Sequence, residues 1–289
     1  MPYMIAAVYV AGIAVFATLL WNSRARVAGL AGFGLALLPS AFYAFRASTE
    51  VLGSEWMLAF QFAGLLNVVS FALLLGAVYA LRDRPAPSPL ESRLVRLAAI
   101  VVLIVMAFGA ITRQHFFSAA GGANNIAYVV IGLLAIVGML ARWGATPPGL
   151  AVAVGFGFMA AAALLRLAGS FMDRESIVPK DVFTAFNVLG PAAVVIGFAL
   201  AAGRPEVERA PYPGTEKLGM NFSRWVGLVL VFVGCALFVF LAHLITEERI
   251  LQGLKGRAAV VGALLPALGL LLALIGVSRL TTGRRVWAF

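Results

Sequence analysis

The sequence predicts an all-α, polytopic transmembrane bundle of about nine helices, with eight as the alternative count, the N-terminus outside and the C-terminus cytoplasmic. Three observations carry that expectation. Hydrophobic residues make up 62% and charged residues 12% of the 289, against roughly 45–50% and about 25% in soluble domains, so no aqueous fold could hide the apolar surface. The apolar residues come in runs close to the ~20 that a helix needs to cross a bilayer while satisfying its own backbone hydrogen bonds. The basic residues, which give a net charge of +10, stand singly between those runs and favour alternate connections.

The first run, Met4–Trp21, has no basic region before it and is long enough to stay as an anchor rather than a cleaved signal. The second, Val27–Phe45, carries Gly29, Gly32 and Gly34, small residues that let helices approach closely in lipid, and Pro39, which predicts a kink. Met57–Leu81 follows. A connection rich in proline, Arg82–Arg96, then separates it from Leu97–Thr112. That run and the next, Ile126–Ala141, are short, and their ends are expected to reach into Arg93–Arg96 and Gly121–Asn125. Leu150–Met172 contains Arg166, and Val182–Gly203 contains the Gly190-Pro191 pair, the best candidate for a local break. A second proline-rich connection, Arg204–Arg224, leads to Trp225–Thr246. The last run, Ala258–Ser278, has Pro266 and a glycine every seventh residue, at Gly262, Gly269 and Gly276. These runs form a single integral membrane domain over residues 1–289, with no connection long enough for a soluble one.

Orientation follows from Lys and Arg in the connections, because positively charged loops stay in the cytoplasm. With the N-terminus outside, fourteen of them fall on the inner side and seven on the outer, with Arg166 inside a helix. Trp21, Trp56, Trp143, Trp225 and Trp287 lie at helix ends, as interface anchors do.

Several function classes are excluded or weakened. Scattered basic residues do not form the clustered patch of a nucleic-acid surface. Acidic residues are confined to loops and helix ends, there is no His-Glu-x-x-His or Gly-x-Ser-x-Gly motif, and the three lysines, Lys180, Lys217 and Lys255, are outside the runs. A retinal Schiff base therefore has no lysine, and catalysis inside the membrane has few groups to use. The single Cys235 offers neither a disulfide nor a thiolate metal site.

The polar residues within or bordering the runs are few, and in this topology they gather in the outer half: Gln61, Asn67, Arg113, His115, Asn124, Asn125, Arg166, Asn187 and His243. Buried polar groups are expensive in lipid unless they pair or meet water, so these nine are the candidate ligand-binding residues. Arg166 is the sharpest member, since a guanidinium holds a carboxylate or phosphate by two parallel hydrogen bonds. No cofactor is expected, with haem b between His115 and His243 as the alternative.

The expected function is a non-enzymatic membrane subunit or receptor-like bundle of the bacterial inner membrane, binding a small or lipid-like ligand from the outer side. It would act through a membrane or cytoplasmic partner at residues 82–96 and 204–224. A small-solute or lipid permease and a lipid-modifying membrane enzyme are the alternatives.

Overall fold

A helix surrounded by lipid gains nothing from an apolar stripe, because every side meets hydrocarbon or another helix. The helices of this protein accordingly carry large apolar residues on their outer faces. Leu150, Val154 and Leu164 on one helix, and Leu189, Ile196 and Leu200 on the next, are all exposed. In the computed structural model, residues 2–49, 55–82, 116–171, 180–209 and 222–247 and parts of 268–280 are described.

The described residues form α1 (Pro2–Thr18), α2 (Arg26–Thr49), α3 (Glu55–Leu81), α4 (Phe116–Trp143), α5 (Pro147–Phe171), α6 (Lys180–Ala202) and α7 (Phe222–Glu247). Helical residues between 268 and 280 belong to a further, C-terminal helix. Three stretches are long and apolar enough to cross a membrane: Ala63–Leu81, Pro147–Arg166 and Ala185–Ala202. The protein is thus all-helical and suited to a bilayer. The run Leu97–Thr112, Pro266 and the first part of Ala258–Ser278 lie outside the described residues.

Neighbouring contacts close a ring. Each of α1 to α6 packs against the next among the described helices, and α6 packs back on α1. Outside the ring, α7 lies against α3 and α4. The C-terminal helix lies on α7, where Ala273 and Leu280 join Val231, Cys235 and Phe238 in a buried cluster with Leu65, Leu66, Val69 and Leu73 of α3. Glycine decides that last contact. A Cβ on Gly234 would stand 2.5 Å from the Gly269 carbonyl oxygen, and one on Gly227 2.9 Å from that of Gly276, so the two backbones touch directly. Inside the ring α5 and α6 meet the same way, at Gly155 and Gly190. Gly34 is different: a Cβ there would meet nothing within 4 Å.

Toward one end the ring interior is filled by aromatic rings. Phe16, Phe33, Phe156 and Phe198 are completely buried. Phe16 and Phe198 meet edge to face at 4.9 Å, and Phe33 lies 6.0 Å from the first and 6.3 Å from the second. Phe71 continues the layer, 6.3 Å from Phe156.

That same end is laced together by backbone. The α1–α2 turn and the segment after α6 form an isolated antiparallel bridge between Ser23 and Arg209. The Arg24 amide donates to the Glu208 carbonyl (3.1 Å), and the Glu208 amide donates to the Leu81 carbonyl at the end of α3 (2.7 Å). Arg24 also pairs with the Glu208 carboxylate at 2.6 Å. Arginines collect around this lacing. Arg82 donates to the Arg142 carbonyl at 2.6 Å, Arg142 lies over the Tyr79 ring at 4.0 Å, and Arg26 over Trp21 at 4.2 Å. Trp21 and Trp225 are exposed at helix ends, but Trp143 is 5% exposed and packs beneath Arg82, inside the protein. Gly144, at a φ of 61°, makes the tight turn from α4 into α5.

Candidate functional site

The opposite end of the ring is not filled. Between α1, α3, α4, α5 and α6 lies a cleft of about 70 Å³, lined by Tyr9, Asn67, Phe71, Tyr128, Met159, Ala162, Ala163, Arg166, Asn187 and Pro191. Three of the helices contribute residues one turn apart, while α1 and α4 give Tyr9 and Tyr128 alone. Asn67 and Phe71 share a face of α3, Asn187 and Pro191 a face of α6, and Met159, Ala162, Ala163 and Arg166 follow the i, i+3, i+4, i+7 spacing of one face of α5. The alanines leave the space that the arginine head and its neighbours enclose.

Depth follows from helix rise. Arg166 is about 28 Å along α5 from Pro147 at the basic end, and Phe71 is about 15 Å along α3 from Leu81, at 1.5 Å per residue. The cleft thus runs from near the end of the ring remote from the arginine-rich lacing to about the middle of the helices. Its floor is the aromatic layer, reached through Tyr9, whose ring is 6.3 Å from Phe33, and through Phe71, which meets Tyr128 edge to face at 4.9 Å.

The polar groups are concentrated at the mouth. The Arg166 Nη2 donates to the Asn187 Oδ1 at 3.1 Å. This bond fixes the amide of Asn187, because an oxygen that accepts from Arg166 turns its NH₂ group away as a donor. Arg166 remains exposed, while Asn187 and Asn67 are half-buried and Tyr9 is buried. A guanidinium presents five N–H donors in a rigid fork that matches a carboxylate or phosphate. The arrangement can hold a carboxylate or phosphate at the mouth, with an apolar portion directed toward Phe71, Met159 and Tyr128. No protein-family model matches the chain. Neither a curated protein nor a solved structure matches it. The chemistry of the cleft therefore rests on its residues alone.

Of the nine residues expected from sequence, the cleft brings three together: Asn67, Arg166 and Asn187. Asn125 is half-buried on α4 and is not among the lining residues. Gln61, Asn124 and His243 are placed as helical positions on α3, α4 and α7. Arg113 and His115 lie outside the described residues, as do Asp173 and Glu175, the nearest carboxylates to Arg166 in sequence. The haem alternative, which needs His115 and His243, consequently has no described geometry. Among the described residues no group of three or more His, Cys, Asp and Glu is placed to hold a metal ion.

Sequence reasoning missed Tyr9, Phe71, Tyr128, Met159 and Pro191. A signal was present for one of them. Tyr9 lies well inside its apolar run, where a buried hydroxyl calls for a polar partner, whereas tyrosine in membranes favours the ends. Phe71 and Met159 carry no such mark.

Proposed function

We propose that the protein is a non-enzymatic, receptor-like bundle or membrane subunit that takes the anionic head of a small or lipid-like ligand into the cleft from the outer side. One observation carries this reading: the only arginine that sequence places inside a helix lines the cleft, bonded to Asn187, with Asn67 and the Tyr9 ring on the facing helices. A charge this far along a helix costs roughly 2.5–3.5 kcal/mol at the bilayer centre, less near an interface, and a cleft that admits water and an anion offsets that cost.

In this reading the chain lies in a bacterial inner membrane with the laced, arginine-rich end in the cytoplasm, in accord with the positive-inside rule. Nine helices cross the membrane, the N-terminus is outside, and a membrane or cytoplasmic partner receives the signal at residues 82–96 and 204–224. A receptor-like role is favoured over a permease because the ring interior below the cleft is filled by Phe16, Phe33, Phe156 and Phe198, all fully buried. A permeant would have to displace several of them.

The test is binding of radiolabelled decanoate, a carboxylate on a short alkyl chain, to the protein in mild detergent, with co-purifying chains recorded in the same preparation. Wild type is expected to bind saturably, and Arg166→Ala to lose binding while keeping its melting temperature within a few degrees. Equal binding by both proteins, or uptake into proteoliposomes that Arg166→Ala abolishes, would refute the receptor reading, and the second result would establish the permease.

A further inference from the structure

A second cavity lies at the laced end, remote from the cleft. It encloses about 250 Å³ and is lined by Leu19, Leu20, Asn22, Ser23, Ala202, Val207 and Arg209. It sits where the end of α1, the α1–α2 turn and the segment after α6 meet, and the backbone bridge between Ser23 and Arg209 holds its walls.

Its chemistry is divided. Leu19 and Leu20, in the turn just past α1, and Ala202, at the end of α6, give it an apolar side, and Leu19 is 59% exposed, turned to where lipid chains would lie. The polar lining comes from the turn and the strap. The Ser23 hydroxyl donates to the Leu20 carbonyl at 2.7 Å, so its proton is committed and its oxygen can only accept. Arg24 is engaged by Glu208. The donors offered to a ligand are therefore the Arg209 guanidinium and the Asn22 amide, a pairing suited to phosphate oxygens. Arg24, Arg26, Arg82, Arg142 and Arg204 stand at the same end, against Glu206 and Glu208, so the field favours an anion.

The level in the membrane agrees. Trp21, between the lining residues Leu20 and Asn22, is 48% exposed, and an exposed tryptophan at a helix end marks the headgroup region. We propose that this cavity binds the phosphate headgroup of an anionic phospholipid of the inner leaflet, with Arg209 and Asn22 on the phosphate and Leu19 against an acyl chain. Basic pockets between membrane helices on the cytoplasmic side are suited to such headgroups. The assignment of leaflet rests on the orientation given under Proposed function; the site itself is independent of the ligand of the outer cleft.

The experiment uses the full chain reconstituted in vesicles of phosphatidylcholine and phosphatidylglycerol, three to one, then extracted in mild detergent, with retained lipid identified by native mass spectrometry. Wild type is expected to retain phosphatidylglycerol over phosphatidylcholine by about fivefold beyond the vesicle ratio, the factor that one arginine near a charged membrane surface contributes. Arg209→Gln should abolish that enrichment and Arg209→Lys should keep part of it, with melting temperatures unchanged in lipid-free detergent. Arg166→Ala should retain phosphatidylglycerol as wild type does, which separates this site from the outer cleft. Undiminished enrichment in Arg209→Gln would overturn the proposal. So would equal retention of phosphatidylcholine, or displacement by millimolar inorganic phosphate, which would make the ligand a free phosphate rather than a lipid.

Discussion

Gly269→Ala adds one methyl group at a point where two helices leave no room for it. Its Cβ would stand 2.6 Å from the Gly234 carbonyl oxygen and closer still to the Phe238 amide nitrogen. Both are backbone atoms, so no side-chain rotation relieves the overlap, and the C-terminal helix must move away from α7 by about 1 Å to restore ordinary contact. Forcing an extra methyl into a packed contact costs about 1–3 kcal/mol. The same substitution gains up to about 1 kcal/mol from replacing glycine in a helix. Gly34→Ala has that gain alone, since a Cβ there meets nothing within 4 Å. The difference between the two variants therefore isolates the helix contact, at about 1–3 kcal/mol or roughly 5- to 150-fold in the unfolding equilibrium. Unfolding by SDS in mixed micelles, followed by tryptophan fluorescence, measures it. Identical unfolding curves for Gly269→Ala and Gly34→Ala would refute the direct backbone contact between α7 and the C-terminal helix.

Phe198→Ala should be among the most damaging single changes, at about 3–5 kcal/mol, because a fully buried ring in edge contact with Phe16 leaves a void that its neighbours cannot fill; a loss under about 1 kcal/mol in the same SDS assay would mean the layer is loosely packed. Ser70→Ala removes a buried hydrogen bond from the Ser70 hydroxyl to the Gly32 carbonyl, 2.7 Å long, and should cost only about 0.6 kcal/mol, with about 1.7 as the ceiling for such bonds in membranes. Reporter fusions at Pro87, Tyr212 and Phe289 should all read cytoplasmic; opposite readings at Pro87 and Phe289 would break the nine-helix topology.

The helices were legible because lipid demands uninterrupted apolar runs, and their ends were not, because hydropathy does not measure hydrogen bonding. Ile126–Ala141 was expected to extend only to Gly121, yet α4 begins at Phe116 and takes in Gly121, Gly122, Asn124 and Asn125. Those residues look like a break but include no proline, and a helix without one keeps its backbone bonded through polar positions. The first helix shows the reverse. Leu19, Leu20 and Trp21 are apolar, but α1 ends at Thr18 and they form the turn that the strap after α6 engages. In the site, Arg166, Asn187 and Asn67 were visible as polar residues inside apolar runs. What brings them together was not. With every face apolar, periodicity carries no inward direction, so nothing in the runs announces that α6 returns to α1 and closes the ring.

That closure has a consequence for synthesis. Phe198 meets Phe16, and Glu208 meets Arg24, about 180 residues after those partners leave the ribosome. At 5–20 residues per second the gap is about 9–36 s. During it, α1 to α3 must wait in the bilayer with the Leu81 carbonyl lacking the Glu208 amide and the Phe16 ring lacking its edge partner. The first three helices are thus an incomplete half that translation finishes, and a nascent chain stalled before α6 presents that unfinished side to whatever membrane chaperone or protease reaches it first.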